Sequence, residues 1–335
     1  MPKALITDAT GLSLTAEERA FFRDADPWGF IVFKRNVDTP EQLRALVASM
    51  REAVGRNAPV LVDQEGGRVQ RLGAPHWPKY PPGAHYGALY DRDRAAGLRA
   101  AWLGARLIAA DLAGVGIDVD CLPLADLPIS EADPVIGNRA YGTTPAKVAA
   151  IGAAVAEGLI AGGVLPVLKH IPGHGRATAD SHLKLPVVGT DRATLEATDF
   201  AAFRPLAKLT LGMTAHVVFT AIDPVAPATT SVTMVREVIR GFIGFDGLLM
   251  SDDLSMNALS GTLTERARAT FAAGCDVVLH CNGPLGDRRE VADACPPLGG
   301  DAKRRAHAAL SVRRKPASFD LAAAREEFAA MGASA

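Results

Sequence analysis

A chain of 335 residues, 48% hydrophobic and 22% charged, has ordinary globular composition and is long enough to bury a large core without disulfide staples. Its net charge of −1 argues against the basic footprint of a nucleic-acid binder and the polybasic face of a membrane-surface protein. There are four cysteines and no CxxC; Cys121 and Cys275 sit in apolar runs, which predicts buried thiols in a reducing compartment.

In chain order, short apolar or β-branched runs alternate with longer Ala-rich helical patterns. "MPKALITDAT" at the start lacks a basic stretch followed by a long apolar one, so no secretory signal is expected. The first strand is "ALITDA" (4–9), the second "GFIVF" (29–33). A helix follows over 39–54, with Leu43, Leu46, Val47 and Met50 on one face. Thr39-Pro40-Glu41-Gln42 fits a cap, a first-turn proline and a glutamine at the third helical position. "PVLVD" (59–63) is the third strand, and a helix over 94–116 leads to "IDVDCLP" (117–123). The window 149–168 is long and apolar enough to raise a membrane span, but Glu157 lies inside it and Gly162, Gly163 and Pro166 break it. It reads as the end of a helix over 144–163 followed by the strand "VLPVLK" (164–169). Helices over 190–208 and 231–244 separate "LGMTAH" (211–216), "GLLMSD" (247–252) and "CDVVLH" (275–280). A last amphipathic helix is expected over 319–331.

Eight strands that are apolar on both faces, with helices between them, predict an α/β fold, a single (β/α)8 TIM-like barrel. A doubly wound open sheet is the alternative, weakened because no GxGxxG follows the first strand.

In a barrel, chemistry gathers where strands end. Asp63, Lys169, His170, His216, Asp252 and Asp253 all fall at such ends. "VDQEGGRVQRL" (62–72) turns on Gly66-Gly67 and adds Arg68 and Arg71; a carboxylate with guanidinium groups suits vicinal hydroxyls. Arg139 in "PVIGNRAYG" (134–142) reads, alone, as a solvated loop residue. In "SDDLSM" (251–256) alternation points one aspartate to the pocket and leaves the other to cap the following helix. Asp252 could attack an anomeric carbon, or the pair could polarise a substrate acetamido group; the spacing leaves both open.

His170 and His174 are spaced H-x3-H. That spacing aligns metal ligands only on a helix, which Pro172-Gly173 opposes, so no metal is expected. A Schiff base at Lys169 is the lesser reading. Asp180-Ser181-His182 is a proton-transfer arrangement, a histidine with a nearby carboxylate to orient it. Gly173 and Gly175 would hinge a mobile loop that carries it.

Taken together and in this order, "VDQEGGRVQRL", "VIGNRAYG", "KHIPGHG", "DSH" and "GFDGLLMSDDLSM" resemble glycoside hydrolase family 3, in particular its cytoplasmic bacterial β-N-acetylglucosaminidases. The resemblance runs over about 4–284; Ile171 stands where members often have Phe, and the segment 285–335, read as a helical extension of one domain spanning 1–335, shares none of it. It implies a retaining exo-β-N-acetylglucosaminidase with Asp252 as nucleophile, His182 as proton donor and acceptor, and Asp180 orienting His182. Asp63, Arg71, Arg139, Lys169 and His170 would hold the sugar. The implied substrate is an N-acetylglucosamine-containing muropeptide of peptidoglycan recycling, without cofactor, metal, nucleic acid or membrane partner, handled by a cytoplasmic monomer. A phosphorylase on the same barrel, or a non-catalytic amino-sugar sensor, are the alternatives.

Overall fold

In the computed structural model, which describes residues 1–181 and 183–333, each of the eight apolar runs becomes a strand of one closed parallel barrel. The strands are β1 (Lys3–Thr7), β2 (Pro27–Val32), β3 (Val60–Val62), β4 (Val119–Asp120), β5 (Leu165–Ile171), β6 (Leu211–Thr214), β7 (Leu248–Asp253) and β8 (Val277–His280). Each pairs with its neighbours in sequence, and β8 closes on β1 through Leu5–Val278 and Thr7–His280. This is the architecture expected of βα repeats, because a parallel neighbour needs a crossover helix.

Alternation along the strands explains the apolar runs. Ala4, Ile6, Leu61, Leu165, Val167, Leu211, Met213, Leu248 and Met250 fill the barrel interior. Leu5, Val60, Val62, Leu168 and Leu249 point outward into the layer packed by the helices. Both sets are buried, so the period-2 pattern is hidden in the sequence.

The helix Pro40–Val54 starts where expected: Thr39 accepts from Gln42 N. The Gln42 side chain reaches one residue further back than a reciprocal capping box, accepting from Asp38 N at 3.0 Å. Residues 149–168 form the end of helix Pro145–Ala161 and the start of β5. Among the described residues no helix is long and apolar enough to cross a membrane.

Two helical expectations are modified. The 190–208 helix is broken into Arg192–Ala197, Asp199–Phe203 and a 3-10 turn, because Thr198 leaves helical geometry at φ −120, ψ −88. The break lets the buried Asp199 accept from Arg176 Nε at 2.6 Å. Residues Met234–Phe242 wind as a π-helix. Helices Ala16–Ala25 and Leu263–Ala273 were not anticipated, although Thr15-x-x-Glu18 and Thr262-x-x-Glu265 are complete capping boxes.

The C-terminal segment closes the barrel's N-terminal end. Leu298, Ala306 and Ala309 join the interior cluster, and Leu298 N donates to Pro2 O at 2.9 Å. Arg305, on helix Gly300–Ser311, bonds Asp276 at 3.0 Å. The last helix, Leu321–Phe328, packs Phe328 near Tyr80 and Tyr86, with Arg325 on Asp111 at 2.8 Å.

Candidate active site

The opposite end of the barrel is open and polar. One cavity there is lined by Asp63, Arg71, Arg139, Lys169, His170 and Asp252, six of the eight residues expected to bind or react. Asp180 does not line it, but the adjacent Ser181 does. His182 lies outside the described residues.

One wall is an ion-pair network. Asp63, just past β3, sits 3.0 Å from Lys169 Nζ through Oδ1 and 2.9 Å from Arg71 through Oδ2. Glu65 takes Lys169 at 2.6 Å and is gripped in bidentate fashion by Arg139 at 2.8 and 2.7 Å. Lys169 is 2% exposed. Burial alone would raise both acids, but Lys169 and Arg71 hold Asp63 well below the usual carboxylate range. Lys169 and Arg139 likewise hold Glu65 down to about 2. Burial would lower Lys169, yet Asp63 and Glu65 keep it above its ordinary value.

Local chain geometry builds this wall. Gln64–Gly66 and Val69–Gln70 form a small hairpin after β3. Gly66 turns it at φ +89, and a Cβ there would lie 2.4 Å from Pro81 O, so only glycine fits. Arg71 returns from the hairpin onto Asp63. Arg68 does not: it bonds the carbonyls of Pro134 and Val135 on the exposed side, bracing the loop that carries Arg139. It is therefore not a sugar ligand in this geometry. Arg139, read alone as a solvated loop residue, is drawn inward by Glu65.

His170, at the end of β5, has Nδ1 2.7 Å from Asp126 Oδ2. That carboxylate fixes Nδ1 as the protonated nitrogen and leaves Nε2 for the cavity. Asp126 is fully buried and also accepts from His174 N at 2.6 Å. Burial would raise it; His170 and the His174 contacts outweigh that and lower it. The His174 ring turns to Ser181, its Nε2 lying 3.1 Å from Oγ. The H-x3-H pair is thus oriented by Asp126 and Ser181. Among the described residues no three His, Cys, Asp or Glu side chains converge as a metal's ligands would.

The opposite wall carries the aspartate pair. Asp252 Oδ1 accepts from Asp253 N at 2.8 Å and the residue is half-buried. Asp253 caps no helix, because turns rather than a helix follow it. Its carboxylate accepts from Ser255 N, Ser255 Oγ, Cys281 N and Asn282 Nδ2 at 2.5–3.1 Å, tying the ends of β7 and β8 together. His216, at the end of β6, places Nε2 3.0 Å from the Asp253 carbonyl and Nδ1 2.7 Å from Thr229 Oγ1. A carbonyl only accepts, so Nε2 carries a proton; Nδ1 faces the Thr229 hydroxyl, which also lies 3.1 Å from Ala215 O. Burial pushes His216 below its ordinary value against the pull of Asp252 and Asp253.

Gly173 and Gly175, expected to hinge a loop, are also packed against neighbouring segments. Gly173 has φ +142, and a Cβ on Gly175 would lie 2.0 Å from Leu127 O. Gly175 O accepts from Ile129 N at 3.3 Å and Ala177 O from Asp133 N at 2.8 Å. Gly175 thus lets the chain pack tightly against the segment after β4, while Gly173 lies against Asp199 and Phe203.

Sequence reasoning missed Glu65 and Asp126. Glu65 stands inside the quoted "VDQEGG" motif, where its acidic character was available as a signal. Asp126 lies beyond the fourth strand in "PLADLP", with no local pattern to mark it.

The family model described as the N-terminal domain of glycosyl hydrolase family 3 matches residues 8–295. A β-hexosaminidase of Chromobacterium violaceum is 39% identical over 297 residues, which is 88% of this chain and 82% of that protein. One from Neisseria meningitidis is 38% identical over 290 residues, 85% of this chain and 80% of that protein. Among solved structures, NagZ from Neisseria gonorrhoeae in complex with N-trifluoroacetyl-D-glucosamine superposes with a TM-score of 0.87 at 34% identity, covering 98% of each chain. A β-N-acetylhexosaminidase from Beutenbergia cavernae gives 0.75 at 29% identity, covering 98% of this chain and 96% of that one.

Proposed function

The chain belongs to glycosyl hydrolase family 3, and on that premise we propose that it is a retaining exo-β-N-acetylglucosaminidase. The observation that supports this most is the pairing of two unlike walls on one cavity: fixed hydrogen-bonding charges facing a carboxylate on the end of β7. The relatives named β-hexosaminidase point to the same activity.

The chemistry follows from the residues. Asp63 offers lone pairs whose directions are set by Lys169 and Arg71, so it receives sugar hydroxyls at fixed angles. Arg139, Lys169 and the free nitrogen of His170 complete the grip. Asp252 attacks the anomeric carbon as the bond to the leaving oxygen breaks, and His182, oriented by Asp180, gives that oxygen a proton. A covalent glycosyl-enzyme results. Water then attacks the same carbon, His182 takes its proton, and Asp252 departs, so configuration is retained. A histidine in place of the usual second carboxyl avoids a second anion beside the nucleophile.

The substrates we assign are peptidoglycan fragments, N-acetylglucosaminyl-1,6-anhydro-N-acetylmuramic acid with or without its peptide. This rests on the family resemblance. The four buried free cysteines suit a reducing cytoplasm. The chain acts as a single-domain monomer without cofactor or metal, and with no nucleic-acid or membrane partner. The test is product analysis on an aryl β-N-acetylglucosaminide, with and without phosphate. Release of free N-acetylglucosamine, first as the β-anomer, is expected in both. A sugar 1-phosphate formed only with phosphate would make the enzyme a phosphorylase, and no turnover would leave a binding protein.

A further inference from the structure

Ser181 immediately precedes His182, is 2% exposed, and is held from two directions. Its hydroxyl lies 3.1 Å from His174 Nε2, on the segment that leaves β5. Its carbonyl accepts from Ala258 N at 3.2 Å, in the turns that follow Asp252 and Asp253. One residue therefore joins the proton-transfer segment to the strand end that holds the sugar and to the loop that begins at the nucleophile.

His174 is a fixed anchor. Its backbone N–H donates to Asp126 Oδ1 at 2.6 Å, and its ring lies edge-on to His170 at 5.8 Å between centroids. Its Nδ1 is buried without a partner, so among the described residues Ser181 is the polar group its ring engages. Burial and the neighbouring His170 push His174 down to about 4, so it faces Ser181 as a neutral ring and adds no cation beside Asp252. A neutral buried ring with a single polar contact is more than packing requires, since an apolar side chain would avoid the unpaired Nδ1.

We propose that the Ser181–His174 hydrogen bond is a clasp that registers the acid/base segment against the nucleophile, with Ser181 and His174 as positioning residues that act through His182. This rests on the reading of His182 as acid/base in the proposed hydrolysis.

The test uses kcat/KM on two β-N-acetylglucosaminides, one with an activated nitrophenyl leaving group and one with a sugar leaving group that needs a proton. Ser181→Ala, His174→Phe and the double variant are compared with the unaltered enzyme. Each single variant should lose at least about tenfold more on the sugar leaving group than on the activated one, within the range of general acid catalysis. The double variant should lose no more than the worse single. Equal losses on both glycosides, or additive losses, overturn the clasp. If His174→Phe does not fold, Ser181→Ala, which removes one oxygen atom, decides alone. His182→Ala separates the two levels. Equal loss in that variant overturns the acid/base reading and the clasp with it. A leaving-group-dependent loss there, with equal losses in Ser181→Ala, overturns the clasp alone.

Discussion

The two walls of the cavity solve opposite electrostatic problems. Over β3 to β5, the carboxylates Asp63 and Glu65 are held between Arg71, Arg139 and Lys169 through short, mostly buried pairs. Near Asp252, among the described residues, stand His174 and His216, both pushed toward the neutral form by burial. The first wall holds three cations and two carboxylates, each fixed in a pair, which suits directed hydrogen bonds to uncharged hydroxyls. The second presents the Asp252 carboxylate beside two histidines that burial holds toward the neutral form, which suits attack on a carbon that becomes cationic. Both walls are built on strand ends, so the contrast is fixed by the barrel.

Asp252→Asn should separate the walls most sharply. It removes the proposed nucleophile and leaves the ion-pair wall intact, so kcat should fall by about four orders of magnitude or more, while the Kd for N-acetylglucosamine moves by less than about threefold. Steady-state kinetics and calorimetry read the two quantities.

Lys169→Met should damage folding as well as binding. It strands Asp63 and Glu65 as two buried carboxylates without their shared cation, and breaking such a pair costs about 3–5 kcal/mol. Urea unfolding at pH 7 measures this.

Acid should weaken the two walls in separate windows. His174 is held down to about 4 when folded, against about 6.5 unfolded. Between those values the unfolded chain binds the extra proton, so stability is full above about pH 6.5 and declines as pH falls toward 4. The loss should be on the order of 3 kcal/mol. Glu65, held at about 2, and Asp63, also lowered, give up their stabilisation only as pH falls below the ordinary carboxylate range. Comparing His174→Phe with the unaltered chain from pH 7 to 4 isolates the first window. The variant's stability should decline less steeply there, and parallel curves would contradict the neutral-histidine account.

The smallest expected effect is also a contrast. Arg71→Ala deprives Asp63 of a charged donor and should raise KM about tenfold or more. Arg68→Ala removes bonds to two exposed carbonyls and should change stability by no more than about 0.5 kcal/mol and KM by less than about twofold.

The strands were legible because burial on both faces leaves continuous apolar runs, and the location of the candidate site was legible because strand ends are where polar residues interrupt them. The partners of those residues were harder to read. Glu65 meets Arg139 from 74 positions away, and Asp126 meets His170 from 44. No local periodicity encodes such pairings, and a lone loop arginine looks solvated until its carboxylate is found. Likewise the use of Gly175 depends on the Leu127 backbone, which is distant in sequence. The segment after 284 carried no motif to interpret; its contacts are long-range, with Leu298, Ala306 and Ala309 across the closed end of the barrel and Arg305 and Arg325 paired to Asp276 and Asp111.

The most direct test of the account is covalent trapping. A 5-fluoro N-acetylglucosaminyl donor should inactivate the enzyme with one sugar per chain, and peptide mapping should place the adduct on Asp252. An adduct on another residue, or turnover with no adduct at all, would contradict the assignment of the β7 carboxylate as nucleophile and favour attack by the substrate's own acetamido group.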